Sequence, residues 1–506
     1  MAVAEQTTAF ALAEKAKLIK SLRRFDMVFF SICAFVGLDT LGTVASNGPE
    51  GFLWLVILAV VFVAPYMLLM SEVGSAFTQE GGPYEWTKMA FGRLHGGIAS
   101  ILYWVTNPLW VGGSLAFIAH DSWSGQIFKI GSGSVGDYVF KLSFIWISIG
   151  VAIISLRYGK WIPNVGAILR GVVLGFFSLT VIIYGIRHGV AGFQFGHLSP
   201  TRAVFFGLVP ILLFNYVGFE LQNGAAEEME DPQRDVPLSV LRSGIAGVLM
   251  YVVPIFCILL VLPASKVTSI GGFIDAVTLT FHGVYGGAAH ALLIVMTLCF
   301  IAALVTSGAV WMIGSDRIQA VASYDGAWFR FFGVFNRKLG TPVRVNVMSG
   351  IASSIFCIAA IILLKHQSTA NAFTVVLDIA ISTTLLSYLW IFPAVLKLRY
   401  AYPNVERPYV HPWGMTGLWI STILTTGWIL LGSFEAIFPD VLEKVFGVGY
   451  GFKGSWGVPR WEFEALTLGT LAIIILIGVA GYFVSGDVRR DVAAEPLDLP
   501  PSPLAT

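Results

Sequence analysis

Charge is what this sequence has least of. Charged residues fill 12% of its 506 positions, against roughly 25% in soluble domains, and that excludes an ordinary soluble fold. Cysteine is scarce too. Cys33, Cys257, Cys299 and Cys357 all fall inside apolar stretches, where they read as packing residues with no paired framework for disulfides. The eight histidines are scattered without metal-ligand spacing. No glycine loop ending in Lys-Ser/Thr is present, so ATP drive is not expected. Nothing reads as an enzyme, and neither cofactor nor metal is expected. The net charge of +1 gives no footprint for nucleic acid. The first 24 residues lack an apolar core followed by a small-residue cleavage site, so no cleavable signal is expected. Arg23-Arg24, ahead of a long apolar run, reads as a topology anchor.

Apolar residues dominate instead, at 56%. Runs of about 20, the length that crosses a bilayer, recur along the chain. Twelve spans are predicted, at about 25–45, 51–76, 95–119, 139–157, 161–187, 203–226, 238–263, 286–322, 343–364, 371–398, 414–436 and 462–485. The expected class is an all-α membrane protein of 12 transmembrane helices. It divides into a cytoplasmic arm (1–24), a ten-helix core (25–398), helices 11 and 12 (399–485) and a polar, proline-rich tail (486–506) expected to be disordered. Tyr84–Phe91 is predicted to be a short interfacial helix, and Leu442–Arg460 to lie at a surface. Lysine and arginine concentrate on the side of both termini, which places that side in the cytoplasm and the protein in the cell membrane.

Two spans are interrupted. The first contains Gly37, Asp39, Thr40 and Gly42; the sixth contains Phe214, Tyr216, Gly218, Phe219 and Glu220. Broken backbone and a carboxylate at membrane depth are tolerated mainly where they line a cavity. Two such breaks five spans apart predict a 5+5 inverted repeat with discontinuous helices 1 and 6 and a ligand site between the breaks.

The ionisable residues in these spans carry the chemistry. Asp39 either attracts an ammonium or carries a proton, or it caps the second half of its helix. The amides at the first break suit an anion, which Asp39 would oppose. Glu220 is either a proton-exchanging group or a gate residue neutralised by a fixed hydrogen bond. Arg170 either supports the broken first helix or snorkels to the cytoplasmic interface. Tyr103, Trp104, Phe214, Tyr216, Phe219 and Trp311 are candidates for cation–π contact or occlusion, against core packing. Asn107, beside Pro108, supplies a polar contact or marks a kink. The acidic run Glu227–Asp231 reads as a solvated loop.

Several motifs together resemble one family. Gly218-Phe-Glu220 followed by Glu227-Glu-Met-Glu-Asp-Pro-Gln-Arg-Asp-Val-Pro237 looks like the sixth-helix signature of the amino acid–polyamine–organocation transporters. Gly81-Gly-Pro-Tyr84, Ala90-Phe-Gly92, Gly340-Thr-Pro-Val-Arg344 and Arg407-Pro-Tyr409 match further landmarks. The resemblance implies a leucine-transporter-type fold with substrate between helices 1, 3, 6, 8 and 10. It also implies Glu220 as proton sensor, Phe214 as aromatic gate and Trp311 as substrate-facing tryptophan. Two departures stand out. The family's usual Gly-Ser-Gly clamp is replaced by Gly37-Leu-Asp39-Thr-Leu, nearer the Asp-Thr-Phe-Gly of putrescine permeases. Arg170 stands where many proton-coupled members carry lysine, and arginine does not release a proton. The loop texture is similar to that of the glutamate–GABA exchangers as well.

The expected function is secondary transport of an amino acid or organic amine by alternating access, with protons as the candidate coupling ion and a monomer or homodimer in the bilayer. The alternatives are a polyamine importer and, from another class, a nutrient sensor with little flux.

Overall fold

The computed structural model describes residues 13–15, 17–18, 22–158, 161–190, 202–268, 270–363, 369–449 and 451–491. Among these there is no β-strand; a single parallel bridge joins Leu22 to Met229. The long apolar runs become helices because a helix satisfies its own backbone away from water. In chain order they are α1 (Arg24–Phe35), α2 (Leu41–Ala45), α3 (Gly48–Ala76), α4 (Gly82–Phe91), α5 (Arg93–Gln126), α6 (Val135–Tyr158), α7 (Trp161–His188) and α8 (Arg202–Asn215). A 3-10 segment, Leu221–Glu228, follows α8. Then come α9 (Pro232–Val261), α10 (Gly272–Tyr285), α11 (Ala289–Tyr324), α12 (Val343–Leu363), α13 (Thr369–Ala401), α14 (Gly414–Ile437), α15 (Val441–Val445), α16 (Phe452–Trp456), α17 (Arg460–Val484) and α18 (Gly486–Asp491).

Ten stretches among the described residues are helical, long and apolar enough to cross a membrane. The two apolar segments expected to be interrupted are broken in two: α1 and α2 around 36–40, and α8 and the 3-10 segment around 216–220. Burial sorts the long helices. The apolar window of α5 is buried throughout and that of α13 nearly so, whereas only about a third of that of α17 is. A helix apolar and buried all round belongs to the centre, and a half-buried one faces lipid; Ile182, Ile186, Ile473 and Leu476 project outward accordingly.

Local irregularities shape that centre. Proline removes a backbone donor, and α5 carries Pro108 just ahead of a π-helical turn at Val111–Leu115. Within the turn, a Cβ on Gly112 would stand 2.3 Å from the Ser353 carbonyl and one on Gly113 2.0 Å from Val376. Glycine there lets α12 and α13 approach α5.

The structure departs from the sequence reading in four places. α10 is not among the expected spans; its 14 residues are too short to cross. The segment expected at the interface, α4, is instead buried over Gly82–Thr87, held by the Trp86 indole donating to Phe77 O at 3.2 Å. The acidic run after the second break is solvated only at its end, Glu230 and Asp231. Glu228 is buried and ion-paired, because α11 brings Arg317 beneath it. The tail begins with α18, whose Arg489 donates to Gly326 O at 2.6 Å; its remainder, 492–506, lies outside the described residues, as does most of the arm.

Candidate substrate and coupling site

When α1 stops at Phe35, its last carbonyls lose their helical partners. Three side chains from three helices take them up. Trp311 of α11 donates to Ala34 O at 2.8 Å. Tyr251 of α9 donates to Phe35 O at 2.9 Å, and Arg170 of α7 donates to Val36 O at 2.9 Å. Arg170 is fully buried, so it does not snorkel. Its remaining donors go to Gly166 O at 2.7 Å, Thr306 Oγ1 at 3.2 Å, Ala303 O at 3.0 Å and the Ser307 hydroxyl. It acts as a fixed cation under the first break. The Gly37 amide, also freed, donates to the Tyr251 hydroxyl at 2.7 Å.

Asp39 does not cap α2, whose N-cap residue is Thr40 with no side-chain cap bond. Its carboxylate turns to α5, where Oδ2 accepts from Trp110 Nε1 at 2.6 Å and from Ser114 Oγ at 2.8 Å. Oδ1 is buried without a hydrogen-bond partner. Asp39 borders a narrow cavity, lined also by Gly37, Thr40, Trp110, Phe214, Tyr251 and Trp311. Asn215, at the end of α8, lines it too, and both its amide atoms are buried without partners. The walls are aromatic: Trp110 stands edge-on to Phe214 and to Trp311, each at 6.2 Å between centroids.

The second acid sits elsewhere. Glu220, at the end of the second break, is fully buried in a cage of three tyrosines. Its Oε1 accepts from Tyr103 at 2.6 Å and Tyr388 at 2.5 Å, and its Oε2 accepts from Tyr66. The Tyr66 hydroxyl in turn accepts the freed amides of Gly218 at 3.0 Å and Phe219 at 3.2 Å. Glu220 does not line the Asp39 cavity, so the two acids are not one site. Trp311 stands between them: its ring lies 6.0 Å from Tyr103 on one side and 6.2 Å from Trp110 on the other. Gly218, at φ +122°, leaves room for that ring, since a Cβ would fall 2.9 Å from it.

Seven residues singled out in the sequence for the cavity therefore lie outside its lining, Tyr103 among them, in the Glu220 cage. Gly42 falls inside α2, its Cα within 3.2 Å of where a Cβ on Gly272 would stand. Asn107 is fully buried with an unpartnered amide. Gly218 faces Trp311, as above. Tyr216 donates to Leu55 O at 3.0 Å, and Phe219 stacks on Phe35 at 4.3 Å. Gly37, Asp39, Thr40, Phe214 and Trp311 are brought together. Sequence reasoning missed Trp110, Asn215 and Tyr251 at the cavity, Ser114 behind Asp39, and Tyr66 and Tyr388 at the cage. Only Asn215, one residue before the second break, carried a signal. Trp104, weighed for the cavity, instead joins Ser349 and Asn346 in hydrogen-bonding buried Asp316. Among the described residues no three His, Cys, Asp or Glu gather as metal ligands.

Comparison with known proteins gives a consistent picture. The family model described as amino acid permease matches residues 22–449. The chain is 28% identical over 388 residues to a probable agmatine/putrescine antiporter of Lactococcus lactis, covering 76% of this chain and 81% of that one. It is 28% identical over 412 residues to an uncharacterised transporter of Legionella pneumophila, covering 78% and 84%. A methylthioribose transporter of Bacillus subtilis is 22% identical over 428 residues, covering 80% and 87%. Among solved structures, a manganese transporter of Eremococcus coleocola aligns at a TM-score of 0.59 with 13% identity, over 97% of this chain and 99% of that one; likeness at that identity speaks for the fold alone.

Proposed function

The chain belongs to the amino acid permease family, and from that premise we propose that it is a secondary transporter of organic amines working by alternating access. One observation carries this reading. Asp39, in the lining of an aromatic-walled cavity, keeps one buried carboxylate oxygen without a partner, while the Gly37 amide at the same break is already taken by Tyr251. An ammonium group supplies the donor that Oδ1 lacks, and the rings of Trp110 and Trp311 favour a cation. A substrate carboxylate would instead meet Asp39 without the Gly37 amide. The similarity to an agmatine/putrescine antiporter agrees with an amine cargo.

Ten long helices with two broken segments support twelve crossings in a 5+5+2 order with the breaks in helices 1 and 6. The basic-residue bias supports cytoplasmic termini. Glu220, in its cage beside the second break, is the proposed proton-sensing group.

Counterflow into proteoliposomes tests the reading. Labelled putrescine should exchange, amines lacking a carboxylate should compete, and an amino acid of similar length should compete more weakly. Saturable transport of a dicarboxylate that no amine inhibits would sink it.

A further inference from the structure

At the end of the molecule where the N-terminal arm lies, three buried charges meet. Arg317 of α11 bonds Glu80 Oε1 at 2.9 Å and Glu228 Oε1 at 2.7 Å, and it donates to Gly340 O at 2.6 Å. Arg317 and Glu80 are fully buried, and Glu228 nearly so. Glu80, just after α3, and Glu227, in the 3-10 segment, also tie the two backbones together. Glu80 N donates to Glu227 Oε1 at 3.2 Å, and Glu227 N donates to Glu80 Oε2 at 3.1 Å. Lys15 of the arm pairs with Glu227 at 2.7 Å, both partly exposed. The arm then crosses the same segment: Leu22 N donates to Glu228 O and Glu230 N to Leu22 O, each at 3.0 Å.

The charges do not balance. Lys15 answers Glu227 near the surface, which leaves one arginine against two buried carboxylates. An uncompensated buried charge is strongly destabilising unless something neutralises it, and a proton is the smallest neutraliser. We propose that Glu80 and Glu228 form a proton-binding site, holding one proton between them while this end is closed and releasing it to water when the end opens. No other bond forms or breaks. Opening must separate α1 and the arm from the 3-10 segment, which wets the cluster and restores both acids to ordinary acidity.

The surroundings favour the proton. Burial pushes Glu80 up to about 8, with Glu228 and Glu227 adding to it against the pull of Arg317. The groups facing the cluster are Arg317 and Tyr324 from α11, Glu227 and Glu228 from the 3-10 segment, Lys15 from the arm, and Glu85 of α4, which pairs with Lys88 at 2.6 Å. This site is separate from the tyrosine cage of Glu220 and does not depend on which substrate is carried.

The test therefore needs no substrate. An acid whose folded pKa is raised binds a proton that the unfolded chain has lost, so stability falls as pH rises through the folded value. The melting temperature of the full-length protein in detergent should decline between about pH 5 and pH 8 and level off above that. Glu80→Gln or Glu228→Gln, each mimicking the protonated acid, should flatten that decline. Hydrogen exchange at the Leu22 and Glu230 amides reads opening directly. An opening that releases one proton becomes about tenfold more favourable per pH unit. Up to the closed-state value both amides should therefore exchange more slowly in either variant than in the parent, the gap widening by up to that factor for each pH unit. Two folded variants, or either one if the other does not fold, that keep the parent's pH slope and exchange rates would overturn the proposal.

Discussion

Asp39, which lines the cavity, has one oxygen held by Trp110 and Ser114 and the other buried without a partner. The held oxygen fixes the rotamer, so the free one is presented without further ordering. Asp39→Asn keeps the shape and removes the charge. A charge-assisted hydrogen bond is worth roughly 1.5–3 kcal/mol, or about 10- to 150-fold in affinity. We expect a loss in that range for a diamine and a smaller one for a zwitterion of similar length, read by competition in proteoliposomes; equal losses would mean that Asp39 only shapes the break. Glu220 poses a different question, because its three hydroxyl donors tie it to α3, α5 and α13. Glu220→Gln should flatten the pH dependence of transport without unfolding the protein, since the amide cannot cycle a proton. An unchanged pH–rate profile would remove Glu220 from the coupling.

Among the elements, α5 is the one on which the others close. Its π-helical turn brings Gly112 against Ser353 and Gly113 against Val376. Gly113→Ala should destabilise by about 1–3 kcal/mol, the usual cost of overpacking, and Val376→Ala should restore part of it. Thermal unfolding of the single and double variants measures both, and equal midpoints for Gly113→Ala and the parent would show that this contact does not set the spacing. The breaks are legible in the sequence because glycines flanking an acid inside an apolar run weaken a helix that only packs against lipid or protein. The faces are not legible: α5 and α13 are apolar and buried nearly all round, so periodicity gives no direction, and Trp110, Tyr251 and Tyr388 look like any core aromatic. The burial of the acidic run is hidden for a related reason. Its partner, Arg317, stands about ninety positions away in sequence, and no local pattern shows that the two meet.

On the scale of the whole molecule, charge sits mostly at the ends, and its pairing decides tolerance to acid. Asp325, just past α11, accepts from Tyr84 at 2.6 Å and from Arg93 at 3.0 Å, and it pairs with Lys88 at 3.3 Å. Burial alone would raise its carboxyl, but Lys88 and Arg93 outweigh burial and hold it below the usual carboxylate range. A lowered acid contributes stability that is present above the unfolded value and lost as pH falls through the folded one. Asp325→Asn should therefore lower the melting temperature at neutral pH and lose part of the parent's decline below about pH 4; parallel curves would contradict this.

The first break has an electrical consequence as well. Every donor of Arg170 meets a neutral acceptor, and arginine does not release a proton, so its charge stays within the core through any cycle. Where Glu220 keeps its protonation state, loading a monoamine changes the charge of the core by +1. Exchange of one monoamine for another moves no net charge, whereas net entry of one moves a full elementary charge through the field. At about 2.3 kcal/mol per 100 mV for each charge, net uptake should quicken when the vesicle interior is made negative with a potassium gradient, while homoexchange should ignore the same voltage.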